Sequence, residues 1–144
     1  MANFIPLHIH SEYSLLDGMI RVGDLVKYAK DNDVPAIAIT DHGVMYSAVE
    51  FYELAKHAGV NPLIGCEFYV HDGDIHVHDN AHNPLYHLIL IAKDNKGYKN
   101  LIKLVSTAWC EGFYYKPRIN FELLKQYSEG LICASACLGG EVLQ

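Results

Sequence analysis

Imidazole, carboxylate and thiol side chains recur along this chain at the ends of apolar runs: His8-Ile9-His10, Asp17, Asp41-His42, Glu67, His87 and Cys137. These are the groups that bind zinc, manganese or iron, and an enzyme builds a multi-metal site by drawing them together from separate segments. Spacing adds to type. Residues i and i+2 of an extended segment point to one side, so His8 and His10 can grip one ion while Ile9 turns into the packed layer. A carboxylate such as Glu67 can bridge two ions. Ions held a few ångströms apart can activate water and clamp both oxygens of an in-line phosphoester displacement. This chemistry points to a phosphate ester as substrate, with Glu67 and Asp41 as the candidate catalytic carboxylates.

Each cluster has an ordinary alternative. A His-x-His at a strand end serves equally as a surface or hydrogen-bonded pair, and Asp41 could cap the next helix; it is their coincidence at one end of the sheet that favours ligation. His71, His76, His78 and His82 fall in a polar stretch and read as a chance histidine-rich tract. Cys66 precedes Glu67 on a strand, faces the other way, and reads as a core thiol. Trp109, Phe113, Tyr114 and Tyr115 read as packing beneath a loop in preference to a base-stacking platform.

The elements that must position these groups alternate. Phe4 to Ile9 is a short apolar strand, and Val22 to Lys30 places Val22, Leu25, Val26 and Ala29 on one helical face. A second strand runs from Pro35 to Thr40, and a helix from Ser47 to Ala58 is closed by Gly59. Leu63 to Val70 is a third strand, residues 71–84 a polar loop or hairpin tip, and Tyr86 to Ala92 a fourth strand. A helix from about Lys96 to Cys110 follows, with Leu101, Leu104, Val105 and Ala108 on one side. Glu111 to Arg118 is an aromatic loop, Asn120 caps a short helix from Phe121 to Tyr127, and Gly130 to Ser135 is a fifth strand. Such alternation predicts an α/β fold whose largely parallel sheet is covered on both faces, with its chemistry at the carboxyl ends of the strands. His87 opens its strand, and reaches that end only if the third and fourth strands pair antiparallel.

Composition sets the outer bounds. With 144 residues, 51% of them hydrophobic, the chain can bury the core of one compact domain. A net charge of -6 offers no basic stripe for a duplex, which excludes strong autonomous DNA affinity. The four cysteines and the absence of a leader segment predict a reducing, cytoplasmic setting without disulfides. The apolar runs fall far short of the ~20 residues a membrane helix needs, so no membrane partner is expected.

Beyond these readings, the segments His8 to Gly18, Thr40-Asp41-His42-Gly43, Gly65-Cys66-Glu67, His87 to Lys93 and Ser135 to Glu141 resemble the motifs of the polymerase and histidinol phosphatase (PHP) family. Gly97-Tyr98-Lys99-Asn100-Leu101 and Glu111 to Arg118 narrow the resemblance to the amino-terminal PHP domain of bacterial replicative DNA polymerase alpha subunits. The resemblance implies a distorted (β/α)7 barrel with up to three divalent metals, zinc first, manganese or iron otherwise. His8 and His10 would hold one metal with Glu67, which bridges to a second held by His87 and Cys137; Asp17 and His42 would hold a third, with Asp41 behind them. Tyr13 and Arg118 would be helpers or structural.

The family's final Asp-x-His has no counterpart here. Residues 1–144 therefore read as the N-terminal part of a PHP domain, an incomplete barrel expected to bind metal more weakly than the whole and to be inactive when truncated. The implied function is a metal-dependent phosphoesterase module, a 3′–5′ proofreading exonuclease within a DNA-directed DNA polymerase. Its partners would be the remainder of the alpha subunit, other replicase subunits and, through the parent, DNA. A freestanding phosphatase of the histidinol phosphatase type and a non-catalytic structural module are the alternatives.

Overall fold

The computed structural model describes residues 4–15, 17–78 and 85–140. His82 and Glu141 lie outside the described residues. In chain order the elements are α1 (Val22–Asp31), β1 (Ala36–Ile39), α2 (Ala48–Ala58), β2 (Asn61–His71), β3 (Leu85–Ala92), α3 (Asn95–Cys110), β4 (Phe113–Tyr114), β5 (Lys116–Asn120), α4 (Phe121–Gln126) and β6 (Leu131–Ala134). Among the described residues no helix is long and apolar enough to cross a membrane.

Local sequence explains most of these boundaries. The buried residues of α1 are Val22, Leu25, Val26 and Ala29, one stripe at helical spacing. Gly59 ends α2 in the left-handed conformation, φ 79°, with its N–H returned to the last turn. Asp94 and Asn120 cap α3 and α4, their side-chain oxygens accepting from the N–H groups of Gly97 and Leu123. Gly97 also packs on the turn before β6, where a Cβ would lie 1.9 Å from the Gly130 carbonyl oxygen.

β2 is the spine of the sheet. Its first half pairs parallel with β1, from Ala36 opposite Asn61 to Ile39 opposite Ile64. Its second half pairs parallel with β5 and antiparallel with β3. β6 adds antiparallel to β3, and β4 antiparallel to β5. The sheet is thus mixed, where near-continuous apolar strands had predicted a largely parallel one. Burial alone favours apolar runs in either orientation, and the polar stretch after β2 allows a direct hairpin return in place of a helical crossover.

Two further expectations change. Phe4 to Ile9 forms no strand: four hydrogen bonds tie it to β1 and to Thr40 just after it, Ala38 N–H to the Pro6 carbonyl, Thr40 N–H and hydroxyl to the Ile9 carbonyl, and Ile9 N–H to the Thr40 hydroxyl. Pro6 has no N–H to give, so a continuous ladder cannot form. Glu111 to Arg118 is no loop; it contains β4 and the start of β5, joined at Tyr115 with φ 58°.

Two apolar cores divide the molecule. One packs α1, β1 and α2 around Ile37, Ile39 and Phe51. The other packs α3 on the sheet through Cys66, Phe68, Val70, Leu88, Leu90, Leu101 and Leu104. Strand alternation then turns Glu67 and Tyr69 to the opposite face, and the register sets them beside Ile89 and His87. That face carries the polar chemistry.

Candidate metal centre

Glu67 is the hub. Its carboxylate is 1% exposed and is approached by four histidines from three segments. His8 Nε2 lies 2.5 Å and His10 Nε2 3.2 Å from Oε2; His87 Nδ1 lies 2.6 Å and His42 Nδ1 3.5 Å from Oε1. His8 Nε2 and His10 Nε2 are 3.0 Å apart, as the i, i+2 spacing requires. Cys137 Sγ stands 3.3 Å from His87 Nδ1, and Asp17 Oδ2 stands 2.8 Å from His42 Nε2. The structure brings Asp17, His42, His87 and Cys137 together with the His8, His10 and Glu67 set.

The supports are backbone locks. Glu67 N–H donates to the Asp41 carbonyl at 3.0 Å and Gly43 N–H to the Glu67 carbonyl at 2.8 Å, fixing the end of β1 against β2. The antiparallel β2–β3 hairpin returns His87 to the same rim, directly across from Tyr69. Cys137 sits in a turn entered through Ala136 at φ 59° and tied to β3 by the His87 N–H on the Gly139 carbonyl at 3.0 Å. Gly140 has no room for a side chain, since a Cβ would meet the Ser135 carbonyl oxygen at 2.0 Å.

Asp41 occupies a different place from the catalytic one expected of it. It is 1% exposed, and its oxygens accept from the hydroxyls of Ser11 (2.9 and 2.8 Å), Ser14 (2.8 Å) and Ser47 (2.6 Å) and from Ser11 N–H (2.6 Å). A carboxylate so fully engaged by donors orients the 11–18 loop and has no lone pair directed at a ligand. Ser14 in turn accepts from His42 N–H at 3.1 Å, so Asp41 positions His42 through Ser14.

Electrostatics follow from this packing. Burial pushes the Glu67 carboxyl up, but hydrogen bonds from His10 and His8 and the charges of His42 and His87 outweigh it, holding the pKa at about 2. Burial lowers His10, yet its hydrogen bond to Glu67 and the nearby carboxylates raise it overall. His87 is lowered, by burial first, with His42 and Lys116 adding to it against Glu67. Tyr69 is pushed up to about 12 by burial and by the Glu67 charge.

Residue type and geometry suit a cation. The ligand atoms of His8, His10 and Glu67 all lie within 4.8 Å of one another, as do those of Glu67, His87 and Cys137. Glu67 Oε1, His10 Nδ1 and His42 Nδ1 are buried without a hydrogen-bond partner. Oε1 has nitrogens at 2.6 and 3.5 Å and still lacks hydrogen-bond geometry. Glu67 Oε1 and His42 Nδ1, 3.5 Å apart and each without a hydrogen bond, leave lone pairs that an ion could take.

Arg118 lies away from the cluster, wholly buried, with Nε donating to the Gly112 carbonyl (2.9 Å), Nη1 to Val77 (3.1 Å) and Nη2 to Ile75 (2.5 Å). It pins residues 75–77 to the β4–β5 hairpin. Tyr13 turns to Glu50, 3.2 Å from its hydroxyl. Tyr69 escaped the reading from sequence. Its position two residues after Glu67 on a strand was the available signal, because i, i+2 residues share a face. Its ring lies 5.2 Å from His87 and 6.1 Å from His42.

A family model for the PHP domain matches residues 6–144. A DNA polymerase III subunit alpha of Borreliella burgdorferi is 50% identical over 141 residues, covering 96% of this chain and 12% of that protein. A protein of the same name from Campylobacter jejuni is 47% identical over 142 residues, 99% of this chain and 12% of its own length. The chain thus spans about 12% of the curated relatives it matches. Among solved structures, an amidohydrolase from Chromobacterium violaceum superposes with a TM-score of 0.51 at 23% identity, over 72% of this chain and 32% of that one. A candidate metal-dependent phosphoesterase from Bifidobacterium adolescentis superposes with a TM-score of 0.50 at 21% identity, over the same shares. At such identities the likeness is one of fold.

Proposed function

Because this chain belongs to the PHP domain family, we propose that it is the PHP segment of a bacterial replicative polymerase alpha subunit and carries a metal-dependent phosphoesterase site. The observation that carries the reading is the convergence of four histidines on one buried carboxylate, with Asp17 and Cys137 at its margins. In this reading the mixed sheet is part of a distorted seven-unit barrel with the site at one rim, and residues 1–144 are the N-terminal part of that domain.

His8, His10 and Glu67 would hold one divalent cation, Glu67 with His87 and Cys137 a second, and Asp17 with His42 a third. Nitrogen ligands with one thiolate favour zinc, and manganese or iron fit the nitrogen and oxygen sets. A bound divalent cation supplies Lewis acidity toward a phosphate oxygen and makes water more acidic. Glu67, held ionised by its hydrogen-bonding neighbours, supplies buried negative charge that favours cations at the centre of the site. Asp41 keeps His42 and the 11–18 loop in place through Ser11 and Ser14. Terminal phosphodiester hydrolysis, a 3′–5′ proofreading activity, is the reaction proposed, and nucleotidyl transfer belongs to other parts of the parent. Its partners are the remainder of that subunit, other replicase subunits and DNA.

The test pairs metal content after dialysis with hydrolysis of a 3′-labelled oligonucleotide by the complete alpha subunit, unaltered and carrying His10→Ala or Glu67→Ala. Both variants are expected to lose metal and hydrolysis together. A second reading, metal as a structural brace, draws on the number of segments Glu67 ties together. It is favoured if the variants lose melting temperature while hydrolysis persists.

A further inference from the structure

A phosphate ester brings negative charge to a site whose nearest fixed charges are the carboxylates Asp17, Asp41 and Glu67. A protein cation within reach is therefore the group to look for. Most lysines of this chain lie on helices: Lys27 and Lys30 on α1, Lys56 on α2, Lys96, Lys99 and Lys103 on α3, Lys125 on α4. Arg118 is buried and committed to three backbone carbonyls. Lys116 differs from all of these. It opens β5 and is exposed. Its ammonium lies 3.5 Å from the Tyr69 hydroxyl and 5.0 Å above the Tyr69 ring centre.

Tyr69 links that ammonium to the cluster. Its ring packs edge to face on His87 and stacks parallel to His42 at the distances given above, and it is 6% exposed. The backbone presents Lys116 deliberately. Tyr115, immediately before it, takes φ 58°, a conformation that a bulky residue keeps only where the surrounding structure imposes it. Pro117, immediately after it, is packed so closely on Gly43 that a Cβ there would meet its Cγ at 2.6 Å. The lysine is thus held next to the residue that follows His42, by a rigid turn on one side and a packed proline on the other.

We propose that Lys116, with the Tyr69 hydroxyl beside it, binds the non-bridging oxygens of the substrate phosphate at the edge of the metal centre. This rests on the phosphoesterase reading of that centre. Lysine suits the role as a compact charge on a flexible stem, able to follow the phosphate, while the phenol adds one donor in fixed geometry. The two are positioning residues for substrate and take no part in holding metal.

The test is equilibrium binding of thymidine 5′-monophosphate, the dinucleotide thymidylyl-thymidine and inorganic phosphate to the zinc-loaded chain, with metal content measured on each sample. Lys116→Met is expected to weaken binding about tenfold, the worth of one charge-assisted hydrogen bond, and to flatten its salt dependence. Lys116→Arg should recover most of the affinity, and Tyr69→Phe should lose a few-fold. Metal content should stay unchanged in all three. A larger effect on the dinucleotide than on the monoester and free phosphate assigns the site to internal phosphodiesters, the reverse to terminal phosphates. Unchanged affinity in Lys116→Met at equal metal content overturns the proposal, as does a loaded chain that binds none of the three. Failure of the phosphoesterase reading looks different: phosphate binding that depends on Lys116, with no ester hydrolysed by the complete alpha subunit.

Discussion

Replacing Glu67 by Gln in the metal-stripped chain removes the charge around which the cluster is built and leaves the shape of the side chain nearly unchanged. The native carboxyl titrates at about 2 against an ordinary 4.5, a difference corresponding to roughly 3 kcal/mol. Because the folded value is the lower one, this stability is fully present above the unfolded value. It is lost as the pH falls through 4.5 toward about 2. Glu67→Gln should therefore lower the unfolding free energy by about 3 kcal/mol near pH 5.5, but by only about 1 kcal/mol near pH 3, where both states bind part of a proton. Urea titration with chelator present, at the two pH values, measures both differences. The slope m should be unchanged. The working window stays below neutrality because His10 is shifted up and releases its own proton at higher pH, removing a partner of Glu67. A penalty equal at both pH values would refute the reasoning, since it would mean that Glu67 acts through packing and not through charge.

Two further outcomes follow from buried polar groups. Arg118→Met leaves the carbonyls of Ile75 and Val77 without their donor, while Gly112 keeps the Arg118 backbone N–H, and at about 1–3 kcal/mol per stranded acceptor should cost several kcal/mol; chemical denaturation reads the loss, and a change below 1 kcal/mol would show that water replaces the guanidinium. Asp41→Ala frees three serine hydroxyls and the Ser11 N–H at once, so it should loosen the 11–18 loop and weaken metal retention at His42 and Asp17. Hydrogen exchange of the Ser11, Ser14 and Gly18 amides, compared with metal content, checks both, and protection unchanged from the native chain would count against it.

Much of this site was legible in the chain because strand periodicity is rigid. The i, i+2 rule placed His8 and His10 on one side, set Cys66 in the core and turned Glu67 away from it, and the packing agrees at each position. Helix caps at Gly59 and Asn120 were equally readable, since each depends on one local hydrogen-bonding requirement. The antiparallel return of β3, inferred from the placement of His87, is observed. What the chain concealed was long-range. Strand orientation across β2 depends on what each connection permits, and the β4–β5 hairpin is two residues against five, too short for alternation to register. The engagement of Asp41 depends on Ser11, Ser14 and Ser47 arriving from two loops, and a carboxylate after a buried strand looks the same whether it meets hydroxyls or a cation.

Glu67 meets partners that lie 59 positions before it and 20 positions after it, from residues that share no element. Several wide loops must close before those imidazoles can share a neighbour, and loop closure is slow and entropically costly. Ion capture by the full set is consequently a late event, available only to a chain that has finished arranging its sheet. Uptake of a coloured cobalt probe during refolding would then report completion of the tertiary structure, lagging behind the appearance of helical signal.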